Sequence, residues 1–204
     1  MQPIYLTALS FLDYVGIGVF ALSGALVAAQ KRLDFVTFVF FAVITGVGGG
    51  TMRDTLIGAP VFWVRENSLL LICVLAALIV WFTPLKLWGG KGLIWADAVG
   101  IAVYATYGAA KGLGFGVAPV PAIGMGVLTA CFGGIVRDVL AGQPSILLRQ
   151  EFYVTAAAVS AALMVVLYAA GLSALAAAAI ATIVGFALRA AAIINGWSLP
   201  AFRR

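Results

Sequence analysis

Histidine is absent from this 204-residue chain, and charged residues make up only 9% of it. Without imidazole, the chain lacks the commonest metal ligand and the commonest pH switch. The two cysteines, Cys73 and Cys131, both lie within apolar runs, so we expect small buried side chains rather than a disulfide or a metal site. Hydrophobic residues make up 64% of the chain, against about 45–50% in soluble domains. This composition predicts an integral membrane protein.

The sparse charges and missing motifs exclude several classes of function. The net charge is +5, but the basic residues are scattered, so nucleic acid is not an expected partner. The glycine-rich segment at residues 46–50 lacks the Lys-Ser/Thr of a phosphate-binding loop, and no zinc motif or catalytic triad occurs. We expect that the chain is not an enzyme and holds no cofactor. No basic segment precedes the first apolar run, so we expect no cleaved signal peptide.

Apolar runs of about 20 residues predict spanning helices, and this chain has seven. The fold class expected is therefore an all-α integral membrane protein. The expected spans are Leu6–Ala29, Phe35 to about Asp54, Ser68–Phe82, Leu93–Ala110, Val117–Leu140, Phe152–Ala170 and Leu172–Ile194.

The chain repeats itself at an offset of 84 residues. Segment 13–25 returns as 97–109 with 8 of 13 residues identical, and segment 49–60 returns as 133–144 with 7 of 12 identical. The repeats are expected at about 6–83 and 93–170, with a seventh helix at about 172–195 outside them. Three spans separate equivalent positions, and an odd number inverts the second copy. This predicts an inverted repeat of three plus three helices about an axis in the membrane plane.

Basic residues are distributed unevenly between the two sides of the predicted membrane. Three lie on the side of the N-terminus and eight on the other, leaving out Arg189 inside the last span. Because positive charge favours the cytoplasmic side, we expect the N-terminus outside and the C-terminus cytoplasmic, in a bacterial inner (plasma) membrane. The three are Arg53, Arg65 and Lys111, and the eight are Lys31, Arg32, Lys86, Lys91, Arg137, Arg149, Arg203 and Arg204.

Glycines and an Arg-Asp pair occur together in spans two and five. Four of the five residues 46–50 are glycine, which predicts a kink or break in span two, and span five has a weaker version. Arg and Asp cost about 2.5–3.5 kcal/mol each at the centre of a membrane helix. Neighbours on a helix point about 100° apart, so each member of a pair is expected to serve a different partner. The pairs either cap helices and tie the repeats together or flank an ion or solute pathway, and the doubled glycines favour the pathway.

Further polar residues are candidates for the same pathway. Asp13 and Asp97 open spans one and four; each is either an acid at a helix N-terminus or a counter-charge to Arg53 or Arg137 at a pore mouth. Hydroxyl groups either supply pore oxygens or bond to their own backbone. These hydroxyl candidates are Thr45, Thr129, Tyr104, Ser23 and Tyr107.

The doubled motif, Gly49-Gly-Thr-Met-Arg-Asp54 and Gly133-Gly-Ile-Val-Arg-Asp138, in a seven-span chain of this length resembles the bacterial branch of the trimeric intracellular cation (TRIC) channels. The resemblance implies homotrimers with a pore in each protomer that passes monovalent cations, chiefly potassium. It implies that helices two and five are kinked beside the pore. It places Gly48, Gly49, Gly50, Gly133 and Gly134 at the kinks and Arg53, Asp54, Arg137 and Asp138 in the charged motif. The animal members carry Lys-Glu-Val instead, so their lipid regulation is not carried over.

Two alternatives to a channel stay open from the sequence. Inverted repeats with broken helices are typical of secondary transporters, and a paired Arg and Asp suit a small zwitterion such as glycine. A purely structural membrane protein without a pathway is the other alternative, which the doubled intramembrane charges disfavour. For the channel, the expected partners are the lipid bilayer and permeant K⁺ or Na⁺.

Overall fold

The computed structural model describes residues 4–89, 91–145 and 151–200, and the described part contains seven α-helices joined by turns and two short 3₁₀ segments. Arg149, Arg203 and Arg204, which contributed to the charge count, lie outside the described residues. The helices are α1 (Ile4–Gln30), α2 (Phe35–Leu56), α3 (Asn67–Phe82), α4 (Gly92–Gly114), α5 (Pro119–Leu140), α6 (Tyr153–Ala169) and α7 (Ala174–Asn195).

These bounds agree with the expected spans to within about four residues at every end. Five of the helices are long and apolar enough to cross a membrane. The other two, α3 and α6, are apolar but have only 16 and 17 residues, which is about 24–26 Å of helix. The predicted all-α membrane fold is confirmed.

Helices α2 and α5 run without interruption through their glycines and through the Arg-Asp pairs. The described α2 therefore contains no break, and a kink at the glycines of either helix stays a prediction. At the start of α2, the Asp34 carboxylate caps the helix by accepting hydrogen bonds from the Thr37 backbone N–H (3.0 Å) and hydroxyl (2.8 Å). These bonds hold the pKa of Asp34 below its usual value.

Helices α1 and α4 form the centre of the bundle. Helix α1 packs against α2, α3 and α4, while α4 packs against α1, α5, α6 and α7. Apolar side chains surround these two central helices. A charged residue on either helix therefore needs a charged or hydrogen-bonding partner. Helix α4 is accordingly the most enclosed, with Asp97 and Lys111 buried near its two ends.

The two repeats contact each other reciprocally along α2 and α5. Gly49 of α2 lies directly against the backbone carbonyl of Thr129, and Gly133 of α5 lies against the carbonyl of Thr45. Each contact becomes the other when 84 is added to or subtracted from the residue numbers. Reciprocal contacts of this kind are what a twofold axis produces between two copies of one unit. The glycines let the two backbones touch, because a side chain at either position would overlap the opposite carbonyl.

The same exchange relates α1 to α4. Gly16 lies against the Tyr104 ring, and Gly100 lies against the Phe20 ring at the equivalent place. The two rings also contact each other, with centroids 5.5 Å apart. Small residues at these positions allow close approach of the central helices.

The helix ends repeat as well. Helices α2 and α5 are both followed by a glycine in the left-handed conformation, Gly58 (φ 66°) and Gly142 (φ 62°). Only glycine adopts this conformation readily. The next residue in each copy donates to the carbonyl of the motif aspartate, from Ala59 to Asp54 (2.8 Å) and from Gln143 to Asp138 (2.9 Å). The Arg-Asp pair of each motif therefore sits in the last turn and a half of its helix, close to opposite faces of the bundle.

We expect Gly49→Ala to lower the free energy of unfolding, because the new methyl group would overlap the Thr129 carbonyl and force the helices apart. Overpacking of this kind costs about 1–3 kcal/mol. Gly48→Ala is the matched control: its Cβ would meet the Gly133 Cα at an ordinary 3.7 Å, and alanine favours the helix by about 1 kcal/mol. Thermal unfolding in detergent would measure both. Equal thermal midpoints for the two variants would contradict the close contact.

Candidate functional site

Two clusters of buried charged residues lie near opposite faces of the bundle. The first charge cluster consists of Asp13, Arg53, Asp54, Tyr107 and Lys111, near the face where α1 begins. The second charge cluster consists of Ser23, Asp97, Arg137, Asp138 and Tyr153, near the opposite face. All ten side chains are buried. Each cluster is assembled from both repeats, because Tyr107 and Lys111 come from α4 in the first and Ser23 comes from α1 in the second.

In the second cluster, one guanidinium is held by two carboxylates. Arg137 donates from Nη1 and Nη2 to the two oxygens of Asp97, at 2.7 and 3.0 Å, and from Nε to Asp138 Oδ1 at 2.8 Å. Ser23 donates to Asp97 Oδ1 at 2.7 Å and also contacts Arg137. The bidentate geometry fixes the guanidinium firmly. With two carboxylates and one guanidinium, the cluster carries a formal charge of −1.

The guanidinium of the first cluster is held much less completely. Arg53 donates from Nε to Asp54 Oδ1 at 2.8 Å, but neither Nη1 nor Nη2 has a hydrogen-bond partner among the described residues. Its plane lies against two aromatic rings, with its central carbon 5.2 Å from the ring centre of Tyr107 and 5.7 Å from that of Phe62. Cation–π contacts replace part of the lost hydration but supply no acceptor for these N–H groups.

Lys111 gives the first cluster a second cation. Its ammonium lies 2.9 Å from Asp54 Oδ1 and 3.0 Å from Oδ2, and 5.6 Å from the centre of the Phe62 ring. The equivalent position in the first repeat is Val27. With Asp13, Asp54, Arg53 and Lys111 the first cluster is formally neutral, so the two clusters differ by one charge although their motifs are the same.

A cavity of about 340 Å³ opens beside the first cluster. Asp13 lies at its inner side, and one oxygen of this carboxylate has no hydrogen-bond partner within the described part of the chain. The Tyr14 hydroxyl, hydrogen-bonded to Glu66, lies at its outer side. An ion or a small solute in this cavity can therefore reach the buried carboxylate of Asp13. The side chains that line it include Asp13, Tyr14, Phe62, Glu66, Tyr107 and Lys111.

Between the clusters, the α2–α5 contact closes the centre of the bundle. The glycines there touch the opposite backbone, and Tyr104 donates to the Gly46 carbonyl at 3.3 Å. Thr129 donates to its own helix, to the Met125 carbonyl at 2.6 Å, whereas the buried Thr45 hydroxyl has no partner among the described residues. Of the candidate hydroxyls at this level, Thr45 is the one that makes no hydrogen bond to a described residue.

Two expectations about individual charges are corrected by the geometry. The adjacent Arg and Asp of each motif bond to one another, because the long arginine side chain folds back and reaches its neighbour through Nε at 2.8 Å in both copies. Asp13 and Asp97 do not lie at helix N-termini, since the first turns of α1 and α4 contain no acidic residue. Asp97 instead neutralises Arg137, one of the two roles considered for it.

The remaining motif glycines pack against aromatic side chains. Gly50 lies against the Phe62 ring, and Gly134 lies beside the Tyr153 hydroxyl and the Arg137 guanidinium. Sequence reasoning missed Phe62, Tyr153 and the role of Lys111. Lys111 follows an apolar stretch and was counted as a loop charge, but α4 continues to Gly114 and carries it into the interior. Among the described residues, no group of His, Cys, Asp and Glu has the arrangement of a metal site.

Comparison with known sequences supports the repeat and the membrane location. A family model described as "Glycine transporter" matches the chain twice, over residues 10–84 and 94–169. A UPF0126 membrane protein of Vibrio cholerae is 39% identical over 154 residues, which cover 72% of this chain and 63% of that protein. The inner membrane protein YadS of Escherichia coli is 36% identical over 159 residues, covering 72% of each chain. The chain is thus a membrane protein, and its alignment with the Vibrio relative spans less than two thirds of that relative.

Comparison with solved structures gives the fold. A TRIC trimeric intracellular cation channel orthologue from Rhodobacter sphaeroides has a TM-score of 0.88 and 42% identity, covering 94% of this chain and all of that one. A second TRIC cation channel structure has a TM-score of 0.84 and 28% identity, covering 96% and 97%. Both are described as channels, which agrees with the expectation that this chain is not an enzyme. The motifs, the seven helices and these similarities show that the chain belongs to the bacterial branch of the TRIC family, the family that the sequence model describes as glycine transporters.

Proposed function

We propose that this protein is a passive channel for monovalent cations, chiefly potassium, with a pathway inside each protomer beside α2 and α5. The observation that carries the proposal is the pair of buried charge clusters at the two ends of these helices, one of which opens into the 340 Å³ cavity. Buried charges that line a cavity in a membrane protein are typical of an ion pathway. The similarity to solved TRIC cation channels supports the same function.

The charges of the two clusters favour cations weakly. Together they carry one more carboxylate than cationic group, since the first cluster is neutral and the second has a formal charge of −1. A single excess negative charge attracts cations, but it does not form the ring of acids that binds divalent ions strongly. The sequence contains no carbonyl filter of the potassium-channel type, so selectivity among monovalent ions is expected to be modest.

We further propose that the α2–α5 contact is the gate. The backbones touch at Gly49 and Gly133, so an ion can pass between the clusters only if the two helices separate or bend there. Arg53 is the charge best able to move with this step. Its terminal nitrogens have no described partner, whereas Arg137 is held by two carboxylates.

The assembly and orientation belong to the same proposal. A homotrimer in the inner membrane is supported by the similarity to trimeric channels and by the inner membrane protein of Escherichia coli. The reciprocal glycine contacts and the doubled family match support an inverted repeat. The excess of basic residues at the face of the second cluster supports a cytoplasmic C-terminus.

A second candidate function is transport of a small zwitterion such as glycine. The unpartnered oxygen of Asp13 and the unpartnered nitrogens of Arg53 lie in one cluster beside the cavity, and they match an ammonium and a carboxylate group. The description of the matching family model also names glycine. Broken helices at the substrate site are typical of such transporters, and the continuity of α2 and α5 makes this candidate the weaker one.

Purified protein in planar bilayers with asymmetric KCl is expected to show discrete unitary currents. Their reversal potential should be shifted towards the equilibrium potential of K⁺ and away from that of Cl⁻. Channels pass many ions per opening, whereas a transporter moves one or a few molecules per cycle and gives no unitary steps. The control is the same preparation in liposomes with labelled glycine. Silent bilayers together with saturable glycine uptake would replace the channel with the transporter.

Arg53→Gln is expected to change the open probability or unitary conductance while the protein still folds, because Lys111 continues to neutralise Asp54. Arg137→Gln leaves Asp97 and Asp138 buried without their shared cation, and we expect a loss of about 3–5 kcal/mol of stability. Single-channel recording and thermal unfolding measure the two effects.

Lys31→Gln, an exposed change in the turn after α1, serves as the control for both measurements. Unchanged single-channel records for a folded Arg53→Gln protein would argue against Arg53 as the moving charge. Equal stability of the two arginine variants would argue against the difference between the clusters.

A further inference from the structure

A second charged cavity lies at the face of the second cluster, where the ends of α4, α6 and α7 meet. It has a volume of about 290 Å³, and its polar lining residues are Lys91, Glu151, Arg189, Trp197 and Ser198. None of these side chains belongs to either charge cluster. An isolated backbone bridge between Glu151 and Ser198 holds the segment after α7 against the start of α6 beside the cavity. We call this space the Arg189 cavity.

Arg189 lines the cavity from a buried position with incomplete hydrogen bonding. Its side chain is only 1% exposed. Nη2 lies 2.5 Å from Glu151 Oε2, and the guanidinium lies over the Tyr153 ring at 5.7 Å, but Nε has no partner among the described residues. A buried guanidinium normally satisfies its donors, since each unsatisfied donor costs free energy. The guanidinium therefore has an unused donor with which it can bind one more acceptor.

Lys91 adds a second positive charge at the rim. This exposed lysine immediately precedes α4, and no side chain caps the first turn of that helix. The free backbone N–H groups and the positive end of the helix dipole favour an anion at this place. Because Glu151 already pairs with Arg189, the net charge of the lining is +1. The cavity thus suits a group that is anionic and rich in acceptor oxygens.

The surroundings of the cavity indicate that this group is attached to apolar chains. Trp197 lines the cavity and is 46% exposed, and Ile194, one turn before it, is 72% exposed. Tryptophan beside exposed aliphatic side chains at helix ends is typical of the membrane–water interface. Basic pockets between helices at such an interface bind phospholipid headgroups. A soluble anion would gain nothing from the apolar rim.

We propose that the Arg189 cavity binds the phosphate group of an anionic phospholipid. Arg189 donates to the phosphate from the interior, Lys91 and the first turn of α4 approach it from the rim, and the acyl chains pass over Ile194 and Trp197. The proposal concerns a site separate from the ion pathway and does not depend on the function proposed above.

The test measures lipid retention by the full-length protein with native mass spectrometry, after purification in detergent and addition of phosphatidylglycerol or phosphatidylcholine. The wild-type protein is expected to retain phosphatidylglycerol preferentially. Lys91→Gln should lower that retention about fivefold, the change that corresponds to one basic residue at a membrane surface. Lys86→Gln, an exposed lysine in the same connection but outside the cavity, is the matched control and should leave retention unchanged.

Arg189→Gln is a second variant, with thermal unfolding recorded first because this residue is buried. If it folds, it should lose the preference for phosphatidylglycerol as Lys91→Gln does. Equal retention by the Lys91→Gln and Lys86→Gln proteins would overturn the site. A final arm adds inorganic phosphate to lipid-depleted protein: stabilisation that depends on Lys91, without any preference between the two lipids, would overturn the lipid as the source of the phosphate.

Discussion

The neutralisation of buried guanidinium groups is the constraint on which the rest of this structure depends. Arg53, Arg137 and Arg189 are among the largest fully buried side chains, in a chain where charged residues are scarce. An isolated charge in such an interior is prohibitively costly, so each arginine must meet a carboxylate. The pairs that join different helices, Lys111 with Asp54 and Arg137 with Asp97, fix how those helices are rotated about their axes. Apolar packing alone would leave that rotation poorly specified, because small and aliphatic side chains cover every face of these helices.

The buried arginines of the two charge clusters are neutralised to different degrees. Arg137 has two carboxylates and a serine hydroxyl around it, and its surroundings leave it little freedom. Arg53 shares its carboxylate with Lys111 and rests on aromatic rings, which orient a cation without binding it strongly. One half of the interior thus satisfies its arginine with hydrogen bonds, while the other leaves two arginine nitrogens without a described partner. For the proposed channel, the first cluster is therefore the one whose arginine can change its contacts with the smaller loss of hydrogen bonds.

The sequence predicted the helices well because long apolar runs leave a local signal. Hydrophobic length gave the spans, and the offset of 84 residues was readable from identities. The sequence could not choose between Arg53 and Arg137 as the partner of Asp97, or find Lys111 as a partner of Asp54, since these pairs depend on how the helices are rotated against each other. Lys111 was assigned to a loop for a related reason. The sequence near the end of α4 does not show whether a lysine lies in the last helical turns or in the loop, and its partner Asp54 comes from another helix. The hydrogen bond between Arg53 and Asp54 was not predicted, because the prediction used only the 100° between neighbouring positions on a helix. An arginine side chain is long enough to fold back across that angle.

Lys111 in the second repeat stands where the first repeat has Val27, and this one difference makes the two charge clusters unequal. Two identical copies associated in opposite directions would present the same electrostatic environment to both compartments, whatever residues they carried. Joined in one chain, the copies can differ, and a single lysine leaves the first charge cluster formally neutral while the second keeps a formal charge of −1. The two faces of the bundle therefore differ in buried charge, and in the channel proposed above an ion would meet a different electrostatic potential at each face.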